Sequence, residues 1–278
     1  MNVNIISSIL LIAISFNAVI NDIIMKTLLI GGFSPFAVNG LRIFFSCLMA
    51  MVIGYNTQGI KIFDGWYGKD HMIRNITTII ALLMVIYGLK YCQIAQVDLI
   101  TYLIPAVISL ISTIFFQESF NKINFILVII CVITFVLRKG LFNTLPLIIS
   151  ATLFGFAEVW IKHKMHKYNL WNMIVSLGIT GSLLLSYWWI PALKLLSPFQ
   201  WLLSIMMGMG DIGILSLITW KSKIGSSHDF LPLRYTSIIF AVLADKFVFN
   251  ILNIDYIMIG IIILTSLASI FFNYKNIR

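Results

Sequence analysis

Ten apolar stretches follow one another along the chain, and few charges lie inside them. They fall at roughly 4–25, 34–55, 72–89, 95–116, 123–137, 143–161, 171–190, 199–219, 230–249 and 256–273. A run of about 20 apolar residues spans the hydrocarbon core as a helix, because every backbone N–H and C=O must be paired within the segment. The runs are continuous rather than alternating, which excludes a β-barrel. The pattern predicts an all-α polytopic membrane protein with ten transmembrane helices. The longest connection, Asn56 to His71, is too short for a folded domain. Function must therefore lie in or beside the bilayer.

Composition agrees. The chain is 60% hydrophobic and 10% charged, with mean hydropathy +1.00, whereas soluble domains are about 25% charged. The net charge of +9 is a topology signal rather than a nucleic-acid footprint. With the N-terminus inside, the inner loops hold Lys61, Lys69, Arg74, Lys122, Lys162, Lys164, Lys167, Lys221 and Lys223, and the tail adds Lys275 and Arg278. The outer loops hold Lys26, Lys90, Arg138, Lys139 and Lys194. The excess inside places both termini in the cytoplasm of a cell with this protein in its inner membrane. The first run lacks a preceding Lys or Arg and a cleavage site, so it reads as a retained helix. Cys47, Cys92 and Cys131 have no metal or disulfide spacing and read as small buried hydrophobes.

The chain also reads as a duplication. Asn21-Asp22 with Lys26 in the first span echoes Ala157-Glu158 with Lys162 in the sixth. Phe115 to Leu137 echoes Val248 to Ile270 at nearly the same offset. An odd number of spans per half forces the second half into the membrane in the opposite sense. The expectation is two inverted five-helix repeats, 1–140 and 141–278, with substrate near the midplane where they meet.

Several residues carry a family likeness. Pro105 followed by Glu118, the segment FAVNGLRIFFS from Phe36 to Ser46, Pro232 to Thr236 and Phe249-Asn250 resemble the drug/metabolite transporter superfamily in its EamA-like branch. Asn21-Asp22 with Lys26, Tyr87-Gly88-Leu89 and Arg234-Tyr235 resemble its S-adenosylmethionine uptake carriers of obligate intracellular bacteria. Ile251 departs from the pattern, standing where an acid is expected. The resemblance implies a secondary carrier of a small polar metabolite, with S-adenosylmethionine uptake or exchange as its specific form.

Charges inside spans are costly, so they are the candidate site. Asp22 and Glu158 are placed to face each other across the halves and bind a cation or a proton. Alternatively, each pairs with its own lysine one turn on. Arg42 and Arg234 are candidate clamps for a substrate carboxylate; a structural pair with Asp22 or another helix's acid is the alternative for Arg42. Asp211 sits among glycines that bring helices close. Tyr87, Tyr102 and Tyr235 are candidates to line a cavity against a flat ring, or simply to pack. Asp98 and Asp229 suit helix N-terminal turns, Lys246 suits the membrane surface, and Trp171, Trp188, Trp189 and Trp201 suit interfacial belts.

No phosphate-binding loop, nucleophile elbow or zinc-protease motif is present, which disfavours a pump or an enzyme. No cofactor is expected. The expected partners are a small-molecule substrate, the lipid bilayer, and a proton or counter-substrate, in a monomer or homodimer. Amino-acid or metabolite export by the same fold, and a non-transporting scaffold, are the competing readings. A scaffold's buried charges would pair privately and leave no polar cavity.

Overall fold

The computed structural model describes residues 3–101, 104–116, 126, 129, 133, 136–137, 140–165, 168–224, 236–251 and 260. Every element among them is helical: α1 (Val3–Ile30), α2 (Pro35–Gln58), a 3-10 turn (Gly59–Phe63), α3 (Lys69–Tyr91), α4 (Ile94–Thr101), α5 (Ile104–Phe116), α6 (Leu141–Lys164), α7 (Leu170–Leu184), α8 (Ser186–Leu193), α9 (Pro198–Ile224) and α10 (Thr236–Phe247). Among the described residues, four helices are long and apolar enough to cross a membrane, or five if the bent pair α7–α8 counts as one span. Large apolar side chains such as Val52, Ile76, Leu145, Leu202 and Met209 are exposed on the outer faces. Lipid tolerates such faces where water would not. This is a multi-pass membrane protein.

Local chemistry sets the helix ends. Ser34 caps α2, accepting a hydrogen bond from the Ala37 N–H, and Pro35 opens the first turn. Both are favoured there because the first N–H groups of a helix lack internal partners. The 171–190 span is not one helix. It breaks at Leu185 into α7 and α8, which meet at 84°. Trp189 accounts for the fold-back: its ring stacks on Phe44 of α2 at 4.1 Å, and its Nε1 donates to the Ser182 carbonyl at 2.8 Å. Trp189 is thus a core residue, 8% exposed, rather than part of a surface belt.

The connection after α2 is also more ordered than its length suggests. Ile62 is fully buried. Asn172 of α7 donates to the carbonyls of Lys61 and Asp64, and Ser176 donates to that of Trp66. The loop is stitched to α7 by these bonds, while Ile60, Phe63 and Tyr67 stay exposed. Cys47 and Cys92 are buried and form no disulfide with another described residue.

The packing of the first five helices against the last five comes in exchanged pairs. α1 meets α9, and α3 meets α6. α2 meets α9, and α3 meets α7. α1 meets α10, and both α4 and α5 meet α6. α2 against α7 and α4 against α10 stand on their own. If α6, α7–α8, α9 and α10 are matched to α1, α2, α3 and α4–α5, each contact maps onto another or onto itself. The closest of these contacts use glycine. A Cβ on Gly178 would collide with the side chain of Cys47, so α2 and α7 touch almost backbone to backbone. Gly178→Ala should therefore cost about 1–3 kcal/mol by overpacking, read as a lower thermal unfolding midpoint in detergent. Thr152→Val, on the exposed face of α6, should leave the midpoint unchanged. Equal midpoints for all three proteins would show that the α2–α7 seam has slack.

Candidate functional site

Buried polar groups concentrate in two places between the helices. In the first, Arg42 of α2 reaches across to Asp211 of α9. Its Nε lies 2.9 Å from Oδ1 and 2.7 Å from Oδ2, and Nη2 also donates to Oδ1. Ser46, one turn after Arg42, donates to Oδ2 at 3.0 Å. Asn21 of α1 donates to Oδ1 at 3.0 Å, and Asn17, one turn earlier, donates to the Gly210 carbonyl at 2.9 Å. The carboxylate thus has four donors from three groups, which is how a buried charge becomes tolerable. Gly208 makes the approach possible, since a Cβ there would lie 2.6 Å from Phe45 Cβ and 2.8 Å from the Ser46 nitrogen.

Lys26 and Asp245 extend this region toward α4. Asp245 of α10 is fully buried. It accepts the N–H groups of Ile94 and Ala95 at 3.1 and 2.9 Å, so it complements the N-terminus of α4 from another helix. Asp98, expected in that role, is instead buried in the middle of α4. Lys26 lies 3.6 Å from Asp245, donates to the Cys92 carbonyl at 3.0 Å and sits over the Phe249 ring.

Asp22 stands between the two pairs. It interacts electrostatically with Asp98, Arg42, Asp211 and Asp245, yet it makes no hydrogen bond or ion pair with another described residue. The lysine one turn on is turned to Asp245 instead. Asp22, Asp98, Asp211 and Asp245 outnumber Arg42 and Lys26, so the region holds an excess of carboxylates.

The second network lies between α3 and α7. Asn75 Nδ2 donates to Ser176 at 2.8 Å and to Thr180 at 3.1 Å. Arg74 donates to the Met173 carbonyl at 2.8 Å and to Asn75 Oδ1 at 3.2 Å. Arg74 is 4% exposed and lies inside α3 rather than in a loop. The two networks share a spacing. Asp211 engages Arg42 and Ser46, four residues apart; Asn75 engages Ser176 and Thr180, four residues apart. Asp211 stands 136 residues after Asn75, while Ser176 and Thr180 stand 134 residues after Arg42 and Ser46.

The expected site residues are therefore brought together only in part. Asp22, Arg42 and Asp211 share one region. Glu158 is exposed on α6 and makes none of that region's hydrogen bonds. Tyr87 is exposed on α3 and tilts against Tyr91. Tyr102, Arg234 and Tyr235 lie outside the described residues, as does most of the Phe115–Leu137 and Val248–Ile270 echo. Asn17 and Asn75 were marked neither by charge nor by motif; Asn21 and Ser46 lie in segments quoted for the family likeness and Asp245 is a charge within the 230–249 run, but none of the three was taken as a site residue. The four-residue spacing of Arg42 and Ser46, and the asparagines at positions 17 and 21, were the signals available.

Comparison with known proteins gives the region a context. Residues 5–138 match the EamA-like transporter family. A solved crystal structure superposes with a TM-score of 0.61 at 16% identity, covering 95% of this chain and 98% of its own. It shares the fold over almost the whole length. No curated protein matches the chain.

Proposed function

We propose that this protein is a secondary transporter that moves a small polar metabolite across the membrane by alternating access between two inverted halves, 1–140 and 141–278. The single observation that carries the reading is Asp22. It is a carboxylate inside the helix bundle with no described partner, lying between two satisfied ion pairs and among three further carboxylates. An intramembrane acid without a partner among the described residues is suited to a cation supplied from outside, whether a cationic group of the substrate or a proton. The EamA-like match over residues 5–138 supports transport. The exchanged helix contacts and the equally spaced networks around Asp211 and Asn75 support the two-fold repeat. Inverted repeats of this kind place substrate where the halves face each other.

S-adenosylmethionine is the first substrate to test. Its sulfonium and ammonium suit the carboxylate excess around Asp22. Its carboxylate would have to compete with Asp211 for Arg42, so that contact belongs to a state in which the Arg42–Asp211 pair opens. Privately paired charges are also what a non-transporting scaffold would show, and Arg42–Asp211 and Lys26–Asp245 fit that description. Asp22 distinguishes the two. In proteoliposomes, radiolabelled S-adenosylmethionine within a metabolite panel should accumulate, faster with internal counter-substrate. Asp22→Asn should abolish uptake while membrane abundance stays near normal. Uptake by no member of the panel, or normal uptake by Asp22→Asn, would remove Asp22 from the transport cycle.

A further inference from the structure

The α3 network holds a buried cation with no carboxylate beside it among the described residues. Arg42 is neutralised by Asp211; the matched positions in the second network, Ser176 and Asn75, are both neutral, and Arg74 is a charge added to them. Among the described residues the ion pairs are Lys26–Asp245 and Arg42–Asp211, so no described carboxylate pairs with Arg74. Its Nη1 is used by Met173 and Asn75, while its Nε is buried without a partner. A guanidinium does not shed its proton, and an uncompensated buried charge is costly. One turn earlier, His71 is fully buried and neither ring nitrogen has a hydrogen-bond partner. Its ring lies edge-to-face with that of Tyr168, 4.3 Å between centroids. Arg74 and His71 interact electrostatically, as does Asp70 with His71. Both lie in the first two turns of α3, whose N-cap, Gly68, supplies no side-chain acceptor. The positive end of the helix dipole adds to the same field.

We infer that Arg74 and His71 form a binding site for a small monovalent anion, either a free halide or the carboxylate group of a larger molecule. The anion accepts from Arg74 Nε and a His71 ring N–H and supplies a negative charge beside Arg74. Two independent observations meet here: a buried cation without a counter-charge among the described residues, and a buried imidazole with both nitrogens unused. The comparison with Asp211 rests on the two-fold reading proposed above; the binding site itself does not.

Thermal unfolding of the purified protein in detergent tests the inference without any transport measurement, so failure of the transport reading leaves this test standing. At fixed pH and ionic strength, with a bulky sulfonate buffer salt as background, chloride and acetate are titrated separately. The wild-type midpoint should rise saturably with one or both, and the more effective ion distinguishes halide from carboxylate. Arg74→Gln should lose the response. His71→Ala should need about tenfold more anion for half of it, a change of about 1.4 kcal/mol. Asn75→Asp places a carboxylate where the Arg42 network has one, so it should be more stable than wild type without the anion and indifferent to adding it. If Arg74→Gln does not fold, Asn75→Asp decides alone. A wild-type midpoint unmoved by both ions, or an Asn75→Asp protein that responds as wild type does, overturns the site.

Discussion

Asp211→Ala should cost the folded protein about 3–5 kcal/mol, the penalty for leaving a buried charge without its partner. The substitution strands Arg42 between α2 and α9 and also removes the acceptor used by Ser46 and Asn21. Truncating Arg42 as well should restore most of the loss. An apolar pair such as Arg42→Leu with Asp211→Leu removes both charges, and buried ion pairs replaced by hydrophobic residues are often close to neutral. The measurement is a double-mutant cycle on the unfolding midpoint and on the monodisperse fraction recovered in detergent. Additive losses would mean the two side chains do not depend on each other, contrary to the geometry described.

Asp245→Ala should be nearly as damaging. It removes the acceptor of two backbone N–H groups at the start of α4 and the counter-charge of Lys26. Buried donors left unpaired cost about 1–3 kcal/mol each, so a loss of about 3 kcal/mol or more is expected. Asp245→Asn keeps one acceptor oxygen and should lose less. Lys26→Met combined with Asp245→Asn should lose less again, because the lysine is no longer stranded. Hydrogen exchange over residues 94–97 provides a local check. Protection there should collapse in Asp245→Ala while α9 stays protected, and retained protection would show that α4 starts without help from α10.

Much of this was legible in the sequence. The apolar runs locate the long helices to within a few residues, because burying a backbone in lipid leaves no alternative to a helix. The glycines at 208 and 210 marked Asp211 as facing a neighbouring helix, and that is where Arg42 meets it. Partner choice was not legible. Asp22 and Lys26 are one turn apart on one helix, and sequence spacing favours their pairing. The lysine pairs with Asp245 instead, because the Cys92 carbonyl and the buried Asp245 carboxylate lie on one side of it. The bend at Leu185 was also hidden, since 171–190 is uniformly apolar and only Trp189 packing on Gly40 and Phe44 separates two helices from one. The exposure of Glu158 shows the limit of a short echo: matched positions in two halves need not have matched surroundings.

Asp245 has one more consequence, which concerns time rather than space. The helix it caps begins 151 residues before it, and Arg42 precedes its own partner by 169. A ribosome adding about 5–20 residues per second needs roughly ten to thirty seconds to cover such distances. Throughout that interval the nascent first half holds an arginine, a lysine and two N–H groups of α4 without the carboxylates that answer them in the folded chain. Those residues must wait beside water, lipid headgroups or the insertion machinery until the last helices emerge. The order of synthesis thus makes α9 and α10 the segments that complete the pairing of charges laid down in the first half.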